Sequence, residues 1–376
     1  MDSWTEGHTG IHFRGVFLHH IDQNNELYVF VLGCYPYDEG DQKAPTIRTF
    51  VEKCLEEYGL QLNSEKYVMS DNENKMKSAF NFQCKRIGCS SRYLNKQLEH
   101  AFTSETVDKQ LVNCVEVQTL FTHVKALVTH TYSDTRFNGA FYMLNVFLMV
   151  FDELFPVINS THLEEFASIN KDLLQEICEF LIPFDTVFQE LSETNRPTLH
   201  RVIPLRKYLL NCCEIQPDDH NGIRKLKIFL KRRIECSWIL TDEHYLATIV
   251  HPKLKDFQTG SPSDREKAIR LSKAAIQNRA ISQLISSSTS NLPPLCLQEC
   301  EEYLNSTVIN KNDEDDILEY WTNNKNQFPN IHAIARKVLA IPASNTEVER
   351  LFSHSKKTMT DKRTRLDPDR LNKLIS

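Results

Sequence analysis

Glycine is scarce in this sequence of 376 residues, and its ten glycines form neither a Gly-x-Gly-x-x-Gly turn nor a phosphate-cradling loop. No Gly-x-Ser-x-Gly elbow occurs either, so nucleotide hydrolase and esterase readings have no motif to stand on. No apolar run is long enough to cross a bilayer and no secretory leader follows Met1, so no membrane partner is expected. The eleven cysteines lack regular spacing, and the adjacent Cys212 and Cys213 are unsuited to an ordinary bridge. Free thiols in a reducing compartment, nuclear or cytoplasmic, follow. The Asn-x-Ser/Thr matches at Asn159 and Asn305 are then chance. Neither Cys84, Cys89 and His100 nor Cys296 and Cys300 have zinc-ligand spacing, so no zinc site is predicted. A surplus of positive charge is also missing. With 44 basic against 50 acidic residues the formal net charge is -6, so any nucleic-acid binding must use local patches.

What is present has a clear order. His12 to Ile21 and Leu27 to Leu32 are β-prone runs around an Asp22-Gln-Asn-Asn turn, which predicts a hairpin. Ile47, Phe50, Val51, Cys54, Leu55 and Tyr58 share a helical face, with Gly59 at the capping position. Tyr67 to Ser70 reads as a short buried strand with Asp71 at its end. A helix over 73–80 and a strand near 83–87 complete this α/β part. Beyond Cys89 the pattern is helical, with a helix from Leu163 to Leu181 ending near Pro183 and others over 198–210, 222–238 and 264–285. The segments 286–294 and 310–316 read as polar breaks. At the C-terminal end Ile331, Ile334, Ala335, Val338 and Leu339 make one apolar stripe. Pro342 stops that helix, and Ser344 with Glu347 reads as a capping box for the next, whose apolar residues are Val348, Leu351 and Phe352. Basic residues cluster twice. Arg224, Lys225, Lys227, Lys231, Arg232 and Arg233 form a solvated helix face with a minor phosphate-contacting reading. Arg350, Lys356, Lys357, Lys362, Arg363 and Arg365 form a candidate DNA-binding group beside the closing helix.

Three carboxylates stand out by position: Asp2, Asp71 and Glu349. Carboxylates gathered from distant parts of a chain can hold two Mg²⁺ ions for phosphoryl transfer, although any one acidic residue is more often a surface group or a cap. The C-terminal sequence sharpens this. Trp321, Phe328-Pro329, Ala335-Arg336, Pro342-Ala343, Val348-Glu349-Arg350-Leu351-Phe352-Ser353 and Lys362-Arg363-Thr364-Arg365-Leu366 resemble the C-terminal dimerisation region of the hAT (hobo/Ac/Tam3) transposase family. Asp2-Ser-Trp-Thr is similar to the family's first catalytic Asp block, Ser70-Asp71-Asn72 to its second, Thr135-Arg136-Phe137-Asn138 to its Thr-Arg-Trp-Asn, and His251-Pro252-Lys253-Leu254-Lys255 to its Asp-Pro-Arg-x-Lys.

The resemblance implies an α/β plus α architecture: an RNase H-like core, interrupted by a large all-helical insertion. The corresponding segments are 1–89, 90–310 and 311–376, the last completing the core with the Glu349 helix. It also implies catalytic and metal-ligand roles for Asp2, Asp71 and Glu349, with Mg²⁺ only if the protein is active. DNA contacts fall to Arg136 and Phe137, and dimerisation to Trp321, Phe328, Val338, Leu339, Leu351 and Phe352. Several departures from the pattern point away from catalysis. The core is expected to be N-terminally truncated, with its first strand missing, because Asp2 follows Met1 directly. The Cys-x-x-His block reads Cys89-Ser-Ser-Arg92, Phe137 replaces Trp, and no BED-type zinc finger is present. The favoured expectation is a transposase-derived protein that self-associates. The alternatives are an active DDE-type DNA transposase and a DNA-binding regulatory partner of an intact hAT transposase.

Overall fold

The computed structural model describes residues 1–5, 10–128, 139–156, 158, 160–258, 260–287, 295–306 and 316–358. Two compact units emerge: 1–89, 191–203 and 240–376 form the first, and 90–190 with 204–239 the second. The division differs from the expected one, because 240–306 packs with the sheet-bearing unit rather than with the insertion.

In the first unit, β1 (Asp2–Thr5), β2 (His12–Ile21) and β3 (Leu27–Tyr37) form an antiparallel sheet in that order. The β2–β3 turn is set by Asp22, whose Oδ1 accepts the N–H groups of Asn24 and Glu26, while Asn25 takes a left-handed φ of 65°. After α1 (Ala44–Glu56) come β4 (Tyr67–Ser70), α2 (Asn74–Ala79) and β5 (Lys85–Gly88). β4 and β5 pair in parallel. Helix α1 buries Ile47, Phe50, Val51, Cys54 and Leu55, and ends at Gly59 in the left-handed region, with Leu60 N–H bonded back to the Leu55 carbonyl.

The Asp2 block itself forms a four-residue strand, because Asp2 to Thr5 find ladder partners from Gly15 to His12. Alternation along β2 then splits the core. Val16 packs with α1 on one face, whereas Phe13 meets Val348, Leu351 and Phe352 on the other.

The second unit holds α3 (Ser90–Thr103), a short β6 (Thr106–Val107) and β7 (Gln110–Leu111) pair, α4 (Val115–Leu127), α5 (Gly139–Leu154), α6 (Leu163–Ala167) and α7 (Lys171–Leu191). α8 (Val202–Cys212) and α9 (Asn221–Ser237) follow. The helix expected to stop near Pro183 does not. α7 runs through it, with Leu174, Ile177, Leu181, Phe184 and Val187 buried on both sides, so packing outweighs the lost backbone donor.

The remaining helices return to the first unit: α10 (Asp242–Ile249), α11 (Pro262–Ser287), α12 (Leu295–Asn305), α13 (Ile317–Asn324), α14 (Pro329–Leu339) and α15 (Thr346–Thr358). Helix α14 buries the predicted stripe of Ile331, Ile334, Ala335, Val338 and Leu339. Trp321 anchors this group: it is buried, donates Nε1–H to the Val250 carbonyl at 3.2 Å and stacks on Tyr303 at 5.6 Å. Lys255, from the His-Pro-Lys-Leu-Lys block, is buried and donates to the Tyr303 carbonyl (2.6 Å) and Ser306 Oγ (2.9 Å). That block therefore ties two helical segments together. No described helix is long and apolar enough to cross a membrane.

Candidate functional site

The site is built where β1, β4 and α15 bring their carboxylates. The β1–β2 register sets Asp2 opposite Gly15 and Trp4 opposite Phe13. Facing residues of an antiparallel pair share one side of the sheet, so Asp2 and Trp4 both look toward α15. Trp4 stacks on Phe13 (5.6 Å) and on Phe352 (5.9 Å), which gives the Asp-x-Trp spacing its physical sense. Strand period two puts the carboxylate and the anchoring ring on one face. Gly15 lets the helix approach, since a Cβ there would collide with Val348 Cγ1 and crowd Phe352.

Asp2 is 4% exposed and both its oxygens are engaged. Oδ1 accepts the Ser3 N–H at 2.8 Å, and Oδ2 accepts Asn345 Nδ2–H at 3.0 Å. Asn345 immediately precedes α15, and its own N–H points to Cys89 Sγ at 3.4 Å. The cysteine of the incomplete Cys-x-x-His block thus holds the entry to the Glu349 helix. The predicted Ser344–Glu347 capping box does not form. Glu347 instead meets His19 Nε2 at 2.9 Å, and Ser344 Oγ accepts the Thr346 N–H at 3.4 Å. Glu349 is half-buried and lies four residues after Asn345, one helical turn along the same face.

Asp71, 2% exposed, stands just past β4, where its Oδ1 accepts the Glu73 N–H at 3.2 Å and turns the chain into α2. Arg86 of β5 clamps this strand end. Its Nε donates to Ser70 Oγ at 2.9 Å and its Nη2 to the Asp71 carbonyl and to Asn72 Oδ1 (3.3 Å). Asn72 Nδ2 in turn donates to the Cys89 carbonyl at 2.9 Å. Burial draws the Arg86 guanidinium below its ordinary pKa, with the Asp71 charge opposing that shift.

Electrostatics tie the two aspartates to one neighbourhood. Arg14 of β2 is 1% exposed, sits 4.2 Å from the Tyr37 ring centre, and is lowered by burial while Tyr37, Asp71 and Asp2 hold it up. Its Nε and Nη1 have no hydrogen-bond partner among the described residues. The Met1 amino group is likewise lowered by burial and raised by Asp2 and Asp71. Among the described residues, however, no three or more His, Cys, Asp or Glu side chains stand where they could hold a metal ion. Asp2, Asp71 and Glu349 as arranged are therefore not gathered to hold a divalent ion.

Of the other predicted site residues, Arg350 is exposed and donates to the Ser192 carbonyl at 3.1 Å. Arg136, Phe137, Lys362, Arg363 and Arg365 lie outside the described residues, as do the side chains of Lys356 and Lys357. The six positions expected to form a dimer face, Trp321, Phe328, Val338, Leu339, Leu351 and Phe352, are all 7% exposed or less. The reading is corrected to core packing, because each side chain is spent on the interior of the single chain. Sequence reasoning missed Asn345, Arg14 and Arg86. The first two left a signal: an Asn one turn before Glu349 at a helix start, and an Arg inside an otherwise apolar strand run.

The profile of the hAT family C-terminal dimerisation region matches residues 299–376. The Transposable element Hobo transposase of Drosophila melanogaster is 21% identical, covering 94% of this chain and 65% of its own length. Zinc finger BED domain-containing protein DAYSLEEPER of Arabidopsis thaliana is 31% identical over 20% of this chain and 11% of its own. Zinc finger BED domain-containing protein 4 of Homo sapiens is 26% identical over 54% of this chain and 20% of its own. The chain therefore spans less than two thirds of each relative. Residues 299–376 thus match the hAT family C-terminal dimerisation region, and the chain is similar to a hAT transposase along nearly its whole length.

Proposed function

We propose that this chain is a hAT transposase-derived protein that self-associates through its C-terminal region and in which catalysis is lost or crippled. The observation that carries the second part is the engagement of Asp2 by Ser3 and Asn345, which takes up one acceptor site on each oxygen of the first carboxylate. An RNase H-like reading of the core is supported by the strand arrangement. Antiparallel β3, β2 and β1 are followed by parallel β4 and β5, and the Met1 nitrogen donates to the Met69 carbonyl at 3.0 Å, linking β1 to β4. Self-association rests on the matched dimerisation region, and a nuclear location would suit it.

The test uses the full chain. Sedimentation equilibrium should report a dimer or larger species at micromolar concentration, and a monomer there removes the self-association reading. A Mg²⁺-dependent nicking assay on a transposon-end duplex should give no product from the folded protein.

The second reading is an active DDE-type transposase, favoured by one observation: Glu349 follows Asn345 by a helical turn, and Asn345 touches Asp2. Nicking that is abolished by Asp71→Asn or Glu349→Gln would establish it and overturn the first. Binding of duplex DNA without cleavage, together with capture of an intact hAT transposase, would instead support a regulatory partner.

A further inference from the structure

We propose that the outer edge of β3 is part of the face through which two copies of this chain associate, an inference that rests on the self-association proposed above. In the sheet order β1-β2-β3, the strand β3 has a ladder partner on its β2 side alone among the described residues. The free stretch has two limits. At one end the Asp22 N–H bonds to the Glu26 carbonyl and closes the turn. At the other, Leu32 drops out of the β2 register, and its carbonyl accepts the hydroxyls of Tyr35 and Tyr58. Between them lie Leu27 to Val31, which span about 17 Å at strand rise. Sheet edges that stay bare are guarded by charged residues or proline. From Leu27 to Tyr37 there is no charged residue, and Pro36 comes only after the free stretch. Tyr28 and Phe30 instead present rings that are 39% and 47% exposed and stack on one another at 5.9 Å.

Position and self-complementarity make the occupant a second copy. The β2–β3 turn is fastened to the region that matches the hAT dimerisation profile. Asn25 Nδ2–H donates to Thr322 Oγ1 of α13 at 3.2 Å, and Asn25 Oδ1 meets His332 Nε2 of α14 at 2.7 Å. Arg336 Nη2 of α14 donates to the Ile21 carbonyl at 3.0 Å. β3 therefore leaves its turn beside a dimerisation region whose predicted interface positions are buried within the single chain. Tyr28 and Phe30 supply exposed apolar surface continuous with it. An antiparallel pair of β3 strands with its two-fold axis at Val29 sets Leu27 opposite Val31 of the second copy and Tyr28 opposite Phe30. Rings then meet rings and no like charges face each other. Main-chain bonds along the edge give affinity, and the ring pairs fix the register. This short edge buries less than the roughly 1,200–2,000 Å² of a stable dimer, so the exposed side of the adjoining C-terminal region supplies the rest.

The experiment is sedimentation equilibrium of the full chain, with amide exchange followed at Leu27–Val31 on either side of the dimer midpoint. The parent should dimerise at micromolar concentration, and exchange across the stretch should slow as the dimer forms. Tyr28→Lys/Phe30→Lys sets like charges opposite one another at both ring pairs and should weaken the dimer at least about tenfold. Tyr28→Lys/Phe30→Glu is equally polar but sets Lys opposite Glu of the second copy, and should recover most of that loss. Both changes fall on exposed side chains, and urea midpoints equal to the parent's check that the fold is kept. A parent dimer that neither variant weakens overturns the β3 contact and leaves the self-association reading standing. A monomeric parent removes both. If the Lys/Glu variant dimerises no better than the Lys/Lys variant, the two-fold pairing at Val29 is overturned. Slow exchange at Leu27–Val31 that does not change with concentration also overturns the proposal, because the edge is then covered within one chain.

Discussion

In the sheet-bearing unit Asp2, Arg14, Asp71, Lys255 and Glu299 are all buried, whereas among the described residues of the helical unit Lys227 is the one such charged side chain. A buried charge costs several kcal/mol unless fixed dipoles or counter-charges replace its water, so each needs a complete local answer. Glu299 has one: its carboxylate accepts the N–H groups of Asn330 (2.8 Å) and Ile331 (3.0 Å) and the Asn330 Nδ2–H (2.7 Å), at the positive end of α14. Lys255 and Asp2 are answered similarly, by carbonyls and by Asn345. In the helical unit, charges on α9 are met by surface carboxylates. Lys231 meets Glu214 at 2.7 Å, and Arg233 meets Asp108 at 2.6 Å. The difference separates two uses of charge. One specifies how the segments of the sheet unit lock together; the other keeps a helix face wet.

The sharpest way to break this contrast is Glu299→Ala. Three donors at the start of α14 lose their acceptor together, and a loss of about 4 kcal/mol is expected in urea unfolding, since each stranded donor costs about 1–3 kcal/mol. Glu299→Gln, which keeps an acceptor oxygen, should recover part of it.

Acid should act on the same unit next. Burial holds His244 down to about 4 and His332 also to about 4, both below the ordinary 6.5. A histidine depressed by folding is kept neutral, so its contribution is full above pH 6.5 and is lost as pH falls toward 4. For the fully buried His244 the loss reaches about 3 kcal/mol. Unfolding midpoints measured between pH 7 and 4.5 should fall in the parent and flatten in His244→Gln.

These contrasts also show what the sequence made legible. The α14 stripe, the α1 face with Gly59 and the β2–β3 hairpin follow from periodicity and turn chemistry, because those signals are local. Asn345 against Asp2 and Arg86 around Asp71 are contacts across hundreds or tens of residues, and no spacing rule encodes them. At Pro183 the opposite holds: a strong local stop signal is overruled by tertiary burial. At Trp321, Phe328, Val338, Leu339, Leu351 and Phe352 the sequence is ambiguous, because apolar residues in a dimerisation region suit an interface and a core equally well.

Asn345→Ala probes a single polar contact in the candidate site. It removes a donor to the buried Asp2 Oδ2, so about 2 kcal/mol should be lost. Asn345→Asp should cost more, since it places a second carboxylate against the first. If both variants unfold at the parent midpoint, water answers Asp2 and the site is less closed than its burial suggests.

The smallest effect belongs to the helical unit. Lys231 is solvent-accessible, and its pKa is raised chiefly by its hydrogen bond to Glu214. A pair of this kind gains little over its hydrated separate members and is screened by salt. Lys231→Ala should leave the urea midpoint unchanged within error. The same variant tests the phosphate-contacting reading of α9. Lys225, Lys227, Lys231 and Arg233 are already matched by Glu116, Asp219, Glu214 and Asp108, so their field is largely cancelled at short range. Duplex affinity and its salt slope should then be the same for Lys231→Ala as for the parent. A slope reduced by about one would mean that Lys231 leaves Glu214 for a phosphate, and that α9 is a nucleic-acid face after all.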